Sequence, residues 1–230
     1  LDTFQLISTA REHAGQAHEQ GVRSIRLPVL GFSDWAGFFE RPDDLAAREA
    51  HRTLQKRNYY FKHFLENHGI EVTMVLCTVA DLMQWAMDHE HPLLGERERA
   101  HVLIHFINQP DLPPTKCVHK RPLTADLAGS SLELFASITM YGDNPEQPEL
   151  MSTVIHTRDG LVVDSLEALS VEHDPQEAFG LASELMARHG VGNAFHDPQV
   201  REPRFCPDCN ELLLNVAGSR EYKQLDRSVN

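Results

Sequence analysis

The chain has 230 residues, a mass of 26.0 kDa and a formal net charge of −13 at pH 7. Apolar residues make up 41%, enough for a core and too many for wholesale disorder. No apolar run approaches the roughly 20 residues of a membrane helix, so no membrane partner is expected.

Residues 2 to 20 predict a first helix, with Phe4, Ile7, Ala14 and Ala17 on one side and Gly21 as a stop. This start reads as an amphipathic helix and not as a secretory signal core, and the cytoplasm is the expected location. There is no initiator Met, so an upstream segment is left open. SIRLPVL, 24 to 30, predicts a short strand in which Pro28 lacks an amide donor and marks an edge or an end. GFSDWAGFFERP reads as a long connection.

A long helix follows. Pro42 suits its first turn, and Asp43 and Asp44 favour the positive end of its dipole. Ala47, Ala50, Leu54, Phe61 and Leu65 form its apolar stripe, and Gly69 supplies the left-handed stop. Arg48, Arg52 and Lys56 read as a solvated face. Residues 70 to 78 predict a strand in which Ile70, Val72, Met74 and Leu76 alternate with Glu71, Thr73, Val75 and Cys77. Two shorter helices, 79 to 90 and 96 to 108, complete the first half. A strand, a crossover and a second strand predict a parallel pair.

The pattern changes after the proline-rich QPDLPPTK, 109 to 116. Residues 131 to 141, 151 to 157 and 161 to 166 predict strands, with Asp159-Gly160 as a hairpin turn. Asp174-Pro175-Gln176-Glu177 opens a helix with a capping box, and Ala178, Leu181, Leu185 and Met186 point to the core. The fold expected is α+β: a mixed sheet with an early strand-helix-strand unit, then an antiparallel meander, with helices packed on the sheet. One domain is expected over 1–230, with one continuous sheet and a possible sub-boundary near 109–122.

Charge is uneven along the chain. Residues 122 to 200 carry thirteen acidic and two basic side chains. Nucleic-acid affinity comes largely from Lys and Arg neutralising phosphates, so a nucleic-acid partner is not expected. The stretch reads as a solvated face or as a surface for a basic partner. A homo-oligomer is left open.

Of the four cysteines, Cys206 and Cys209 stand two residues apart in FCPDCNELLLN, residues 205 to 215. Four in this length is far from a disulfide scaffold. A Cys-Pro-x-Cys spelling occurs in glutaredoxins, but thioredoxin-like folds place the pair early in a domain, and here only 21 residues follow Cys209. Two thiolates at this spacing reach one zinc when the chain turns tightly between them. Asparagine after the second cysteine suits the left-handed residue that such turns use. CPDCNELLL resembles one half of a zinc ribbon or a rubredoxin-type knuckle, over about ten residues and without the second C-x-x-C. ELLLNV reads as a strand.

A closed zinc site wants four ligands, and Cys117-Val118-His119 supplies the best missing half. The candidate metal site is therefore Cys117, His119, Cys206 and Cys209, with zinc in a structural role, and residues 201–215 form a knuckle-like segment. Four protein ligands leave no place for a catalytic water. His196 as another partner for the pair, and ordinary thiols without metal, stand beside this reading.

His101 and His105 face the same way on a helix, with Glu98 one turn before. No second Glu-x-x-His accompanies them, as a di-iron bundle would need, and they read as surface or core residues. A ligand site is expected where open parallel sheets bind, at the carboxyl ends of the strands. There Asp34, Trp35, Thr78 and Asp81 are the candidates; packing of the aromatics onto the sheet is the alternative. Cys77 has two readings: a thiol activated by a helix N-terminus, or a buried inert one. No catalytic motif is complete. The function expected is a binding or regulatory module stabilised by zinc; a small-molecule enzyme using the Asp34 pocket is the alternative.

Overall fold

The computed structural model describes residues 3–115, 117, 133–144, 146–158, 160–169, 171, 174–214 and 216. The chain divides into two compact units. Unit 1 comprises Leu1–Cys117 and Phe205–Leu212, and unit 2 comprises Val118–Arg204 and Leu213–Asn230. None of the described helices is long and apolar enough to cross a membrane.

Unit 1 runs α1 (Thr3–Glu19), β1 (Ser24–Val29), α2 (Phe32–Phe38), α3 (Leu45–Asn67), β2 (Glu71–Leu76), α4 (Val79–Asp88) and α5 (Glu96–Ile107). Strands β1 and β2 pair in parallel, Ser24 opposite Glu71 through Val29 opposite Leu76. Met74 and Val75 are adjacent and both buried, because helices cover both faces of a parallel pair. One core gathers Phe38, Val75, Leu82, Val102 and Phe106 from α2, β2, α4 and α5.

Local sequence explains the joints. The stop after α3 is Gly69 at φ +71°, with the Ile70 amide returning to the Leu65 carbonyl. GFSDWAGFFERP contains a helix where the sequence suggested only a connection. Its Trp35, Ala36 and Phe38 are buried on one face, so tertiary burial makes a seven-residue helix that is too short to be stable alone. The long helix begins three residues later than Pro42 suggests, at Leu45. Asp44 is its N-cap and accepts from the Ala47 amide at 2.8 Å.

The expected stripe and charged face of α3 also need correction. Ala50 is exposed and Lys56 is 3% exposed, while Tyr59 and Tyr60 are buried. The helix packs against α1, α2 and β2, so more than one face is covered and no single stripe describes it.

Unit 2 contains β3 (Leu134–Tyr141), β4 (Leu150–Thr157), β5 (Val162–Leu169), α6 (Pro175–Arg188) and β6 (Ala194–His196). Its sheet order is β5-β4-β3-β6, with β3, β4 and β5 an antiparallel meander and β6 parallel to β3. Asp174 caps α6 by accepting from the Glu177 amide at 2.9 Å, with Pro175 at the first helical turn. Ala178, Ala182 and Leu185 are buried; Leu181 is exposed and Ala182 takes its place. Asp159 of the expected hairpin turn lies outside the described residues.

The architecture is α+β, with parallel and antiparallel strands and helices packed on them. The described strands form two sheets and not one continuous sheet. β1 carries Pro28 without a donor, and beside β2 the Thr115 amide donates to the Met74 carbonyl at 2.8 Å. That segment shields β2 without building a ladder, and the later strands gather around their own apolar clusters.

Candidate metal centre and adjacent cleft

The turn Cys206-Pro207-Asp208-Cys209-Asn210 closes on itself. The Asn210 amide donates to the Cys206 carbonyl at 2.9 Å, and the Cys206 amide donates to the Glu211 carbonyl at 2.9 Å. Asn210 has φ +56°, the left-handed conformation that asparagine tolerates better than other side chains. The Asp208 amide points at Cys206 Sγ, 3.4 Å away. Residues 211–214 form no strand; an isolated bridge joins Leu212 to Phe205. The Leu213 amide adds a further bond to the Arg204 carbonyl at 2.8 Å.

Helix α3 holds this turn. Asn210 Nδ2 donates to the Gln55 carbonyl at 2.9 Å, and the Phe205 ring lies 5.1 Å from that of Tyr59. Lys62 Nζ lies 2.9 Å from Glu211 Oε1. Burial alone would lower the Lys62 pKa, but the carboxylates of Glu211 and Glu66 outweigh it and raise it.

Cys117 reaches the turn from another direction. Arg26 on β1 donates to the carbonyls of Ile107, Gln109 and Leu112, which fixes the course of the chain after α5. The Thr115 bond to Met74 then aims the segment along β2. The result is a cluster of Cys117, Cys206 and Cys209 whose sulfurs all lie within 4.8 Å of one another. Cys117 Sγ and Cys206 Sγ are 3.6 Å apart. A disulfide would require ~2.05 Å. Tetrahedral zinc with Zn–S bonds of ~2.3 Å separates its sulfurs by ~3.8 Å. The three thiols therefore have the spacing of ligands around one ion.

Burial keeps the Cys206 and Cys209 thiols protonated when no cation is bound. It pushes both thiols up; Cys117 adds to the shift of both, and Cys206 adds to that of Cys209, while Cys209 lowers Cys206. The Asp208, Cys209 and Glu211 amides pull the other way by donating to sulfur. Amides aimed at sulfur stabilise the thiolate form that a metal ion binds. Among the described residues this is the sole group of three or more such side chains placed to hold a metal ion. His119 lies outside the described residues.

The same two segments bound a cleft of about 630 Å³. Asp208 comes from the cysteine turn; Leu112, Pro113, Pro114 and Thr115 come from the approach to Cys117. Val75, Leu76 and Phe106 supply apolar lining, and Asp81, Gln84, Trp85 and Asp88 line it from α4. Two buried atoms of lining residues, Trp85 Nε1 and Thr115 Oγ1, have no hydrogen-bond partner. Sequence reading missed this cleft, because its walls are distant in the chain.

The ligand-site candidates have definite places. Asp34, Thr78 and Asp81 meet at the start of α4. Asp34 Oδ1 accepts from the Val79 amide at 2.9 Å, and Thr78 exchanges bonds with Asp81. Their polar atoms thus cap a helix, and Asp81 alone of the four also lines the cleft. Trp35 packs in the core beside His51. Cys77 has no exposed surface, and its thiol is pushed up to about 12, chiefly by burial and further by Asp81 and Asp34. It is the inert reading of this cysteine that the geometry supports.

One polar pair escaped sequence reading altogether. In unit 2, Ser137 Oγ lies 2.8 Å from His156 Nε2, and His156 Nδ1 lies 2.8 Å from the Thr157 carbonyl. This is the spacing of a nucleophile and base. Both side chains are buried in the sheet, however, where such a bond satisfies polar atoms.

No family model matches the chain, and no curated protein and no solved structure matches it.

Proposed function

We propose that the protein is a binding module in which structural zinc, held by Cys117, Cys206, Cys209 and His119, shapes a ligand cleft. The observation that carries this reading is shared construction. Asp208 stands between two of the thiols, residues 112 to 115 lead to the third, and both segments line the cleft. An ion that ties the thiols together would fix both walls at once. Zinc suits this role because it has no redox chemistry and accepts thiolate and imidazole in a closed tetrahedron.

The lining selects the ligand. Three aspartates, Gln84 and Thr115 line the cleft among apolar side chains, and the lining includes no Lys or Arg. A small organic cation with an apolar body fits that chemistry, with Trp85 available for a cation–π contact. This moves the ligand site from the Asp34, Trp35, Thr78 and Asp81 set to the cleft that Asp81 borders.

The experiment has two parts. Zinc is measured in protein purified without added metal, beside the Cys206→Ser, Cys209→Ser variant; about one equivalent against none is expected. Hydrophobic amines and matched carboxylic acids are then screened by thermal shift. Amines should stabilise zinc-loaded protein, and Asp208→Asn should weaken that effect. Equal metal in both proteins, or a preference for acids, would refute the corresponding half of the proposal.

A further inference from the structure

Rings carrying metal-ligating nitrogens gather outside the thiol cluster, at the end of α4 and along α5. His101 and His105 are four apart on α5, so their side chains share one face. Their Nε2 atoms are 2.6 Å apart while the ring centroids are 4.3 Å apart. The nitrogens therefore face each other between the rings.

His91 is brought to the same place by the turn that ends α4. Glu90 has φ +52°, and the His91 amide returns to the Ala86 carbonyl at 2.9 Å. This helix-ending turn places the His91 ring 5.9 Å from His101 and 5.8 Å from His105. His91 thus stacks beside the pair as a neighbouring ring, while the facing nitrogens are those of His101 and His105.

The neighbours define the set. His89 stacks on Trp85 at 4.2 Å, with its Nδ1 2.9 Å from the Trp85 carbonyl. Glu98 lies back over Gly95, where it folds onto the first turn of α5, and it does not join the rings. Trp85 stacks against His91 at 5.2 Å and His105 at 6.2 Å, so an indole reports on the cluster.

We propose that His101 and His105 form a two-histidine surface site for a divalent transition ion of the nickel, copper or zinc type, with water completing its coordination. The ion replaces the proton shared by the two Nε2 atoms and opens that pair from 2.6 Å to about 3.3 Å. Both rings are exposed, so this opening disturbs no core packing. All-imidazole ligation suits borderline ions and differs from the soft thiolate centre.

The test is a Ni²⁺ titration of the full chain, followed by tryptophan fluorescence and by calorimetry. Saturable quenching with about one ion per chain and micromolar affinity is expected. His101→Ala and His105→Ala should each weaken binding about tenfold or more, and His91→Ala should change it by less than about twofold. Trp85→Phe should remove most of the quenching while calorimetry still detects the ion. Circular dichroism of the exposed-histidine variants should match the parent. No saturable response below about 1 mM Ni²⁺, or unchanged affinity in the His101→Ala, His105→Ala double variant, would overturn the proposal.

Discussion

Asn210 donates its side-chain amide to the main-chain carbonyl of Gln55 at 2.9 Å, across 155 positions of sequence. The same residue adopts φ +56° and is 3% exposed. One side chain thus ends the cysteine turn and fastens it to α3. Substitution can separate the two roles. Asn210→Gly keeps the backbone conformation and loses the bond, and should cost about 1 kcal/mol. Asn210→Ala adds strain at positive φ and should cost about 2 kcal/mol. Urea unfolding of zinc-loaded protein measures both; a glycine variant less stable than the alanine variant would contradict this division.

Metal binding should be strongly pH-dependent. Burial raises the Cys206 and Cys209 thiols, so the metal-free protein holds them protonated at neutral pH. An ion must displace those protons. Zinc added to metal-free protein in weak buffer should release about three protons per ion. Affinity should fall as pH falls. Proton release near zero would mean that the ligands are not these thiols.

His51 should carry a separate acid sensitivity. Its ring is 6% exposed between Phe32 and Trp35, and its Nε2 lies 2.9 Å from the Leu30 carbonyl. Burial lowers its pKa below the ordinary 6.5, against a smaller raising effect of that bond. The unfolded chain therefore binds a proton at higher pH than the folded one. Stability from this group is complete above about 6.5 and is lost as pH falls towards the lowered folded value. His51→Gln removes the titration, and the slope of stability against pH in that window should drop by up to about one proton. An unchanged slope would exclude His51 as the source.

Cys77 should resist thiol reagents in the native protein. It has no exposed surface and its thiol is pushed up to about 12. With metal bound to the other three cysteines, labelling should require unfolding. Rapid labelling of Cys77 near neutral pH would show an opening that this packing does not provide.

Sequence by itself determined the features set by near neighbours. Most helix bounds followed from periodicity and from stops such as Gly69, whose left-handed conformation is local. Asp174 and Pro175 announced α6 because a cap bonds an amide only three residues away. The Cys206, Cys209 and Asn210 turn was readable for the same reason. Tertiary structure alone decided what distant segments do to one another. It set Cys117 Sγ at 3.6 Å from Cys206 Sγ over 89 positions, and it made a helix of Phe32–Phe38 by burying one face. It covered Lys56 on a face that its charge marks as solvated, and it assembled the cleft from α4, β2, the proline segment and Asp208. Periodicity reports which side of an element is apolar; it cannot report how many neighbours will pack there. Burial on a second face and the meeting of remote side chains depend on how elements pack, and that is fixed only when the whole core closes.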